Sequence, residues 1–272
     1  VAMILASDIP LNLWLGVPTA AAYALTALIG PRVAPEMGHR LLSVPWALHG
    51  LGLVFALFAP QTDGLRFGFA PALSVTAWLM LTFYVLEQHW FPQLRTRWTL
   101  SIVGAAVVLI AAAFPGTVLH TQTSPLLPLH LALGVASYGL FAAAVVHAWL
   151  MTRAEKNMRQ GADSHVGLPL LTLERLTFRF VTAGFVLLTA TLGAGWLFGD
   201  RLYGAQAAWR WDHKTVFSLL SWLTFAVLLT GRSRFGWRGR KAVRVLYIGS
   251  GLLLLGYAGS RFVLEVILGR VA

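Results

Sequence analysis

Residues 98–150 read WTLSIVGAAVVLIAAAFPGTVLHTQTSPLLPLHLALGVASYGLFAAAVVHAWL, a run without one Asp, Glu, Lys or Arg. A hydrocarbon layer about 30 Å thick is crossed by about 20 apolar residues in helical form, so this run is too long for one span and suits two. Its interruptions fall where a break is needed, at Pro115-Gly116 and in the polar stretch His120 to Pro128. Two membrane helices are predicted.

Outward from this run, further charge-free windows cover Ile9 to Pro31, Leu41 to Thr62, Phe67 to Leu86, Phe180 to Gly199, Thr215 to Gly231 and Val245 to Ser260. The pattern predicts an all-α polytopic membrane protein with eight transmembrane helices. The chain of 272 residues is 57% hydrophobic and 11% charged, against roughly 45–50% and 25% for soluble domains, so its charges are too few for a water-soluble surface. The first window has no basic residue before it and leads into the multispan pattern, so a retained span is expected there instead of a cleaved signal. We find no internal repeat and no soluble domain, and treat residues 1–272 as one transmembrane domain.

The net charge of +11 is read by position, because Lys and Arg collect in cytoplasmic loops. If the connections after helices 1, 3, 5 and 7 are cytoplasmic, they hold 15 of the 21 basic residues, which predicts both termini outside and excludes nucleic acid as the reason for the charge. Trp90, Trp98, Trp149 and Trp237 then mark the inner interface, and Trp14, Trp196, Trp209 and Trp211 the outer. The stretch Arg153 to Pro169 reads as a solvated cytoplasmic connector. With no cysteine, the chain has no thiolate site, and redox chemistry would have to come from a cofactor or partner.

Eight histidines divide by side: His120, His130 and His213 near the outer face, His39, His89, His147 and His165 near the inner, and His49 within helix 2. An imidazole in a membrane is an iron-ligand candidate or a hydrogen-bonded packing group. His130, Gly134, Ser137 and Tyr138 share one helix stripe, which suits either a close helix contact or an imidazole presented to a flat cofactor. Trp209-Arg210-Trp211-Asp212-His213-Lys214, with Trp222 eleven residues after Trp211, suits either an interfacial belt or a wall for a porphyrin. In the second case Arg201, Arg210 or Lys214 would meet the propionates. Arg261 and Glu265, four apart near the outer end of helix 8, are expected to pair; Arg261 then either anchors the helix end or points inward to bind a propionate or Asp212.

Trp209-x-Trp211-Asp212 with Lys214, Trp222, Phe225-Ala226, Arg232 and Gly236-Trp237-Arg238-Gly239 resembles the tryptophan-rich motif and following helix of the cytochrome c assembly family (CcsA, ResC). His130 with Ser137-Tyr138 is similar to that family's histidine-bearing helix. Glu174-Arg175, His213-Lys214-Thr215, Ser218-Leu219, Gly236 to Arg240, Gly259-Ser260-Arg261 and the pair His120 and His130 are more similar to its small eight-helix, YpjD-like branch. The motifs lie mainly within 126–268. Where the synthases continue Asp-Pro-Lys-Glu this chain has Asp212-His213-Lys214-Thr215, and their histidine near the end of helix 7 appears as Thr230. Of their heme ligands only His130 has a counterpart.

The resemblance implies a multi-pass bacterial inner membrane protein that handles heme b at its outer face, by binding and positioning and without bond making. His130 would be one iron ligand and His213 or His120 the second, with Trp209, Trp211 and Trp222 as the stacking wall. Tyr138 would border the site, and Arg210, Lys214 or Arg261 would meet the propionates. Expected partners are heme, the lipid bilayer, and other cytochrome c assembly proteins or an apocytochrome supplying the missing cysteines. The alternative is a heme-free regulatory or scaffold protein comparable to HemX, linked to control of tetrapyrrole synthesis.

Overall fold

The structure, a computed structural model, describes residues 11–33, 35–58, 65–90, 98–119, 126–160, 169–203 and 212–268. These form the helices α1 (Leu11–Ile29), α2 (Pro35–Leu57), α3 (Phe69–Trp90), α4 (Trp98–Ala113), α5 (Leu126–Arg159), α6 (Leu170–Tyr203), α7 (His213–Phe235) and α8 (Gly239–Leu254). The last continues through two π-helical stretches, Leu255–Gly259 and Val263–Ile267, with a short α turn between them. Among the described residues, α1, α3, α5, α6, α7 and α8 are long and apolar enough to cross a membrane; the apolar segments Leu41–Leu57 of α2 and Trp98–Ala113 (α4) are shorter. The chain is a helical, polytopic membrane protein, as its composition demands.

The decisive run divides at the predicted place. α4 stops at Ala113 and α5 starts at Leu126. Gly116 takes a φ of 74°, and a Cβ there would lie 2.7 Å from the Phe67 carbonyl oxygen, so only glycine fits. The contact exists because two short antiparallel strands, β1 (Leu65–Phe67) and β2 (Thr117–Leu119), pair with Leu65 opposite Leu119 and Phe67 opposite Thr117. The sequence gives no sign of them. Chain leaving a helix must still pair its N–H and C=O groups, and here it does so with another connection.

The helices also outrun the charge-free windows. α5 continues to Arg159, so the first part of the stretch read as a connector is helical, supported by a Glu155–Arg159 pair at 2.5 Å one turn apart. α6 begins at Leu170 and takes in Glu174, Arg175 and Arg179.

The described helices group into two compact units, α1–α4 with the strands and α5–α8. In the first, α4 packs closely on α1, with Ala112 at Gly16 and the Tyr23 ring at Gly104. His49 of α2 bonds through both ring nitrogens, to the Tyr23 hydroxyl of α1 at 3.3 Å and Ser74 Oγ of α3 at 2.8 Å. All three side chains are buried, so His49 is a packing group that ties three helices together. Trp46 of α2 and Trp78 of α3 stack with centroids 5.7 Å apart, and their indole N–H groups donate to Thr82 Oγ1 and the Trp46 carbonyl.

In the second unit, Phe141 of α5 and Phe225 of α7 stack face to face with centroids 3.8 Å apart. Gly184 of α6 and Gly249 of α8 leave room for the two rings, and the Ser221 hydroxyl donates to the Gly249 carbonyl at 2.8 Å. α7 is bounded by an Asp212 cap, whose Oδ1 accepts from the Thr215 N–H at 2.9 Å, and by Gly236 in the left-handed conformation. Threonines within the helices, such as Thr177, Thr191 and Thr224, donate to the carbonyl four residues back, which satisfies hydroxyls that lipid cannot.

Candidate functional site

The stripe read from α5 is divided between two neighbours. A Cβ on Gly195 would lie 3.5 Å from His130 Cε1, and one on Gly134 would lie 3.6 Å from Thr191 Cγ2, so His130 and Gly134 face α6. Ser137 donates to the Gly134 carbonyl at 2.7 Å, within α5. Tyr138 turns to α8, where its hydroxyl donates to the Leu253 carbonyl at 2.5 Å.

These contacts also set heights within the unit. α5 and α6 are antiparallel, with 130 beside 195 and 141 beside 184; α7 and α8 are antiparallel, with 218 beside 256 and 225 beside 249. The Tyr138–Leu253 bond links the two pairs. His130 lies eight residues before Tyr138 and Arg261 eight residues after Leu253, while His213 lies eight before the α7 residue level with Leu253. At 1.5 Å per residue the two histidines stand about 12 Å toward the same end of the unit, and Arg261, beyond the π-helical stretch of smaller rise, stands slightly short of them. His130, half-buried, and His213, exposed, are thus brought to one level with Lys214 and Arg261.

Arg261 and Glu265 form the expected pair, though loosely: Nη1 and Oε1 are 3.9 Å apart, and each side chain is only 13% exposed. Arg261 Nε and Nη1 and Glu265 Oε1 are enclosed without a hydrogen-bond partner among the described residues. Lys214, half-buried, lies within electrostatic reach of Arg261, Asp212 and Glu265. Gly256, whose Cβ would lie 3.2 Å from Ser218 Oγ, brings this part of α8 against α7. The Arg261 side chain is therefore mostly enclosed within the helical unit.

Trp222 stands apart from His130. Its ring stacks on Phe185 of α6 with centroids 5.5 Å apart and its N–H donates to Thr189 Oγ1 at 2.9 Å. Phe185 and Thr189 lie about 120° around α6 from Thr191 and Gly195, the residues that meet α5. His120, Trp209, Arg210, Trp211 and His165 lie outside the described residues, as do the side chains of His39, His89 and Arg201. His147 is buried and bonds through Nδ1 to the Ala143 carbonyl at 2.8 Å beside the Phe180 ring.

Among the described residues no three His, Asp or Glu side chains are placed to hold a bare metal ion. The set that is assembled is different: a half-buried imidazole on α5 beside α6, a second, exposed imidazole at the same level, and one enclosed cation, Arg261, whose Nε and Nη1 have no hydrogen-bond partner among the described residues. By their chemistry, imidazoles and a guanidinium are donor types that suit an iron cofactor carrying carboxylates.

At the opposite end, sequence reasoning missed a junction. Glu174 of α6 accepts from Arg232 of α7 at 2.5 Å and lies 3.7 Å from Arg238, while the Arg232 guanidinium sits 3.7 Å from the Phe178 ring centroid. The available signal was Glu174 as the one carboxylate between Asp163 and Asp200, facing a run of basic residues.

The sequence pattern of the cytochrome c assembly proteins matches residues 41–268 of this chain. A 28.8 kDa protein from the nifR3-like 5′ region of Azospirillum brasilense is 32% identical over 217 residues, 74% of this chain and 77% of its own length. The inner membrane protein YpjD of Escherichia coli K12 is 31% identical over 151 residues, 54% of this chain and 56% of YpjD. The cytochrome c biogenesis protein CcsA of Parasynechococcus marenigrum is 27% identical over 179 residues, 62% of this chain and 53% of CcsA. The chain thus spans little more than half the length of YpjD and CcsA. With a family match over most of its residues, the chain belongs to the cytochrome c assembly protein family.

Proposed function

We propose that residues 1–272 form one inner-membrane domain that binds heme b at its outer face and positions it for other assembly proteins or an apocytochrome. The observation that carries this reading is that His130, His213, Lys214 and Arg261 stand at one level at one end of the α5–α8 unit, with Nε and Nη1 of Arg261 enclosed and unpaired among the described residues. In the eight-span reading with both termini outside, which the distribution of basic residues supports, that end faces outward. A bound heme would supply an iron able to take imidazole ligands, an aromatic plane and two carboxylates.

The chain's own residues then have separable tasks. His130 would offer its half-buried imidazole from α5 beside Gly195 of α6, and His213 or His120 would supply the second ligand. Lys214 and Arg261, with Arg210, hold carboxylates; Arg261 contributes a planar fork, Lys214 a point charge. Trp209 and Trp211 would form the stacking wall, and Trp222 braces α7 on α6. Tyr138 fixes the height of α5 against α8 below the site. None of these tasks includes making or breaking a covalent bond, which favours an assembly factor over an enzyme.

Purified wild type should show a Soret band after heme addition, weakened in His130→Ala and unchanged in His165→Ala. Equal spectra for all three proteins would overturn the heme site and favour the heme-free scaffold. The orientation is checked by single cysteines in this cysteine-free chain: His213→Cys should label from outside and Gln160→Cys only after the membrane is opened.

A further inference from the structure

The α7–α8 turn carries a second, unrelated feature, at the other end of the same unit. Two apolar spans meet there, so the turn lies at a membrane surface. Arg234, Arg238, Arg240, Lys241 and Arg244 are all exposed. The nearest carboxylate, Glu174, is engaged by Arg232 and reaches only Arg238 of these five. Among the described residues, Arg234, Arg240, Lys241 and Arg244 have no acidic partner within ion-pair distance. Lys241 sits 3.9 Å above the Trp237 ring, which is itself packed flat over Gly231. Arg238, Arg240 and Lys241 also crowd the start of α8, where the first turn has no acidic residue and the cap no side-chain hydrogen bond. Positive charge at that end of a helix is unfavourable, so an added anion is stabilised by side chains and helix together.

The exposed face of α8 says what kind of anion. Arg240, Arg244, Tyr247, Ile248, Gly251, Leu254 and Leu255 are all exposed and follow the helical spacing of one stripe. Two guanidiniums one turn apart, about 6 Å between Cβ atoms, lead directly into an apolar track. A Cβ on Gly251 would meet nothing within 4 Å, which leaves a shallow notch in that track. A free anion would use only the head of the stripe. An amphiphile with an anionic head and an acyl chain uses all of it.

We propose that this stripe is a binding site for an anionic glycerophospholipid, its phosphate held between Arg240 and Arg244 with Lys241 and Arg238 beside it, and its acyl chain along Tyr247 to Leu255. Arginine matches a phosphate with two parallel N–H donors, and basic surfaces where helices leave a bilayer attract such headgroups. The site is independent of any ligand at the opposite end of the unit.

The full chain, purified in detergent and given equal amounts of phosphatidylglycerol and phosphatidylcholine, should retain the anionic lipid at least fivefold over the neutral one by native mass spectrometry. In Arg240→Gln with Arg244→Gln that ratio should fall below about twofold. The charge-matched control, Arg153→Gln with Lys156→Gln on α5, should keep it. Equal retention of the two lipids by wild type overturns the site, and this measurement stands even if the double variant fails to insert. So does an undiminished ratio in Arg240→Gln with Arg244→Gln, or an equal loss in the α5 control, which would mean diffuse attraction. If millimolar inorganic phosphate stabilises wild type as well as phosphatidylglycerol does, the stripe reads a free anion and the lipid assignment is wrong.

Discussion

The hydroxyl of Tyr138 donates to the carbonyl of Leu253, 115 residues away, at 2.5 Å, two residues before α8 changes from α to π winding. The bond fixes the height of α5 against α8, and with it the level at which His130 and Arg261 stand. Tyr138→Phe should therefore lower thermal stability by about 1 kcal/mol, the net value of one such bond. Heme retention should fall less than in His130→Ala. A thermal melt and a heme titration on the same preparation separate the two effects; loss of heme without loss of stability would make Tyr138 a direct contact.

A second prediction concerns the stacked rings of Phe141 and Phe225. A Cβ on Gly249 would lie 2.9 Å from the Phe225 ring, which is held on its other face by Phe141 and cannot retreat freely. Gly249→Ala should destabilise by about 1–3 kcal/mol, the usual range for overpacking. Gly251→Ala, two residues on and facing open space, should leave the melting temperature unchanged within error. Equal melts for both variants would mean the stack relaxes without strain.

Removing Arg232 should cost more than removing Arg234. Arg232→Ala leaves Glu174, only 13% exposed, without its short partner and strips the Phe178 ring of its cation. A loss of about 1–3 kcal/mol is expected, as for other charged groups left unpartnered. Arg234 is exposed and makes no such contact among the described residues, so Arg234→Ala should shift stability by about 0.5 kcal/mol or less. Comparing Glu174→Gln, Arg232→Ala and the double variant isolates the pair from the rest.

Arg261→Lys separates the two readings of that residue. Lysine snorkels and keeps a membrane anchor, but it lacks the planar fork that meets a carboxylate with two bonds. With the guanidinium enclosed and its donors unused, heme retention should drop in Arg261→Lys while the Glu265 pairing is kept. Matching wild type in both heme retention and melting temperature would return Arg261 to the role of an anchor.

The spans were legible because lipid forbids unpaired charge, and a charge-free window therefore marks where α1, α3 and α7 run. Their ends were not, because charges can be accommodated where a helix leaves the bilayer: Glu155 with Arg159 extends α5, and Glu174 with Arg232 lets α6 start early. Alternating spans put His130, His213 and Arg261 at one end in the sequence reading too. Which neighbour each residue faces was not readable. The stripe His130, Gly134, Ser137 and Tyr138 follows one helical period, yet α6 takes its first two members and α8 its last. Trp222 likewise shares a helix face with Trp211 in the sequence, but its partners Phe185 and Thr189 come from α6, a choice made by packing and not by spacing.

The π-helical stretches of α8 have a consequence for chain length. Where each amide reaches five residues back instead of four, the helix stores a residue that an ordinary α-helix over the same span would not need. Deleting one residue within 255–259 lets that turn close as ordinary α-helix while the segments on either side stay in register. The same deletion between Val245 and Leu252 has no such reserve. It would rotate everything beyond it by about 100° and carry the Arg261 guanidinium away from Lys214. The widened turns therefore act as slack, making the C-terminal stretch of α8 tolerant of a single-residue deletion that its straight first half is not.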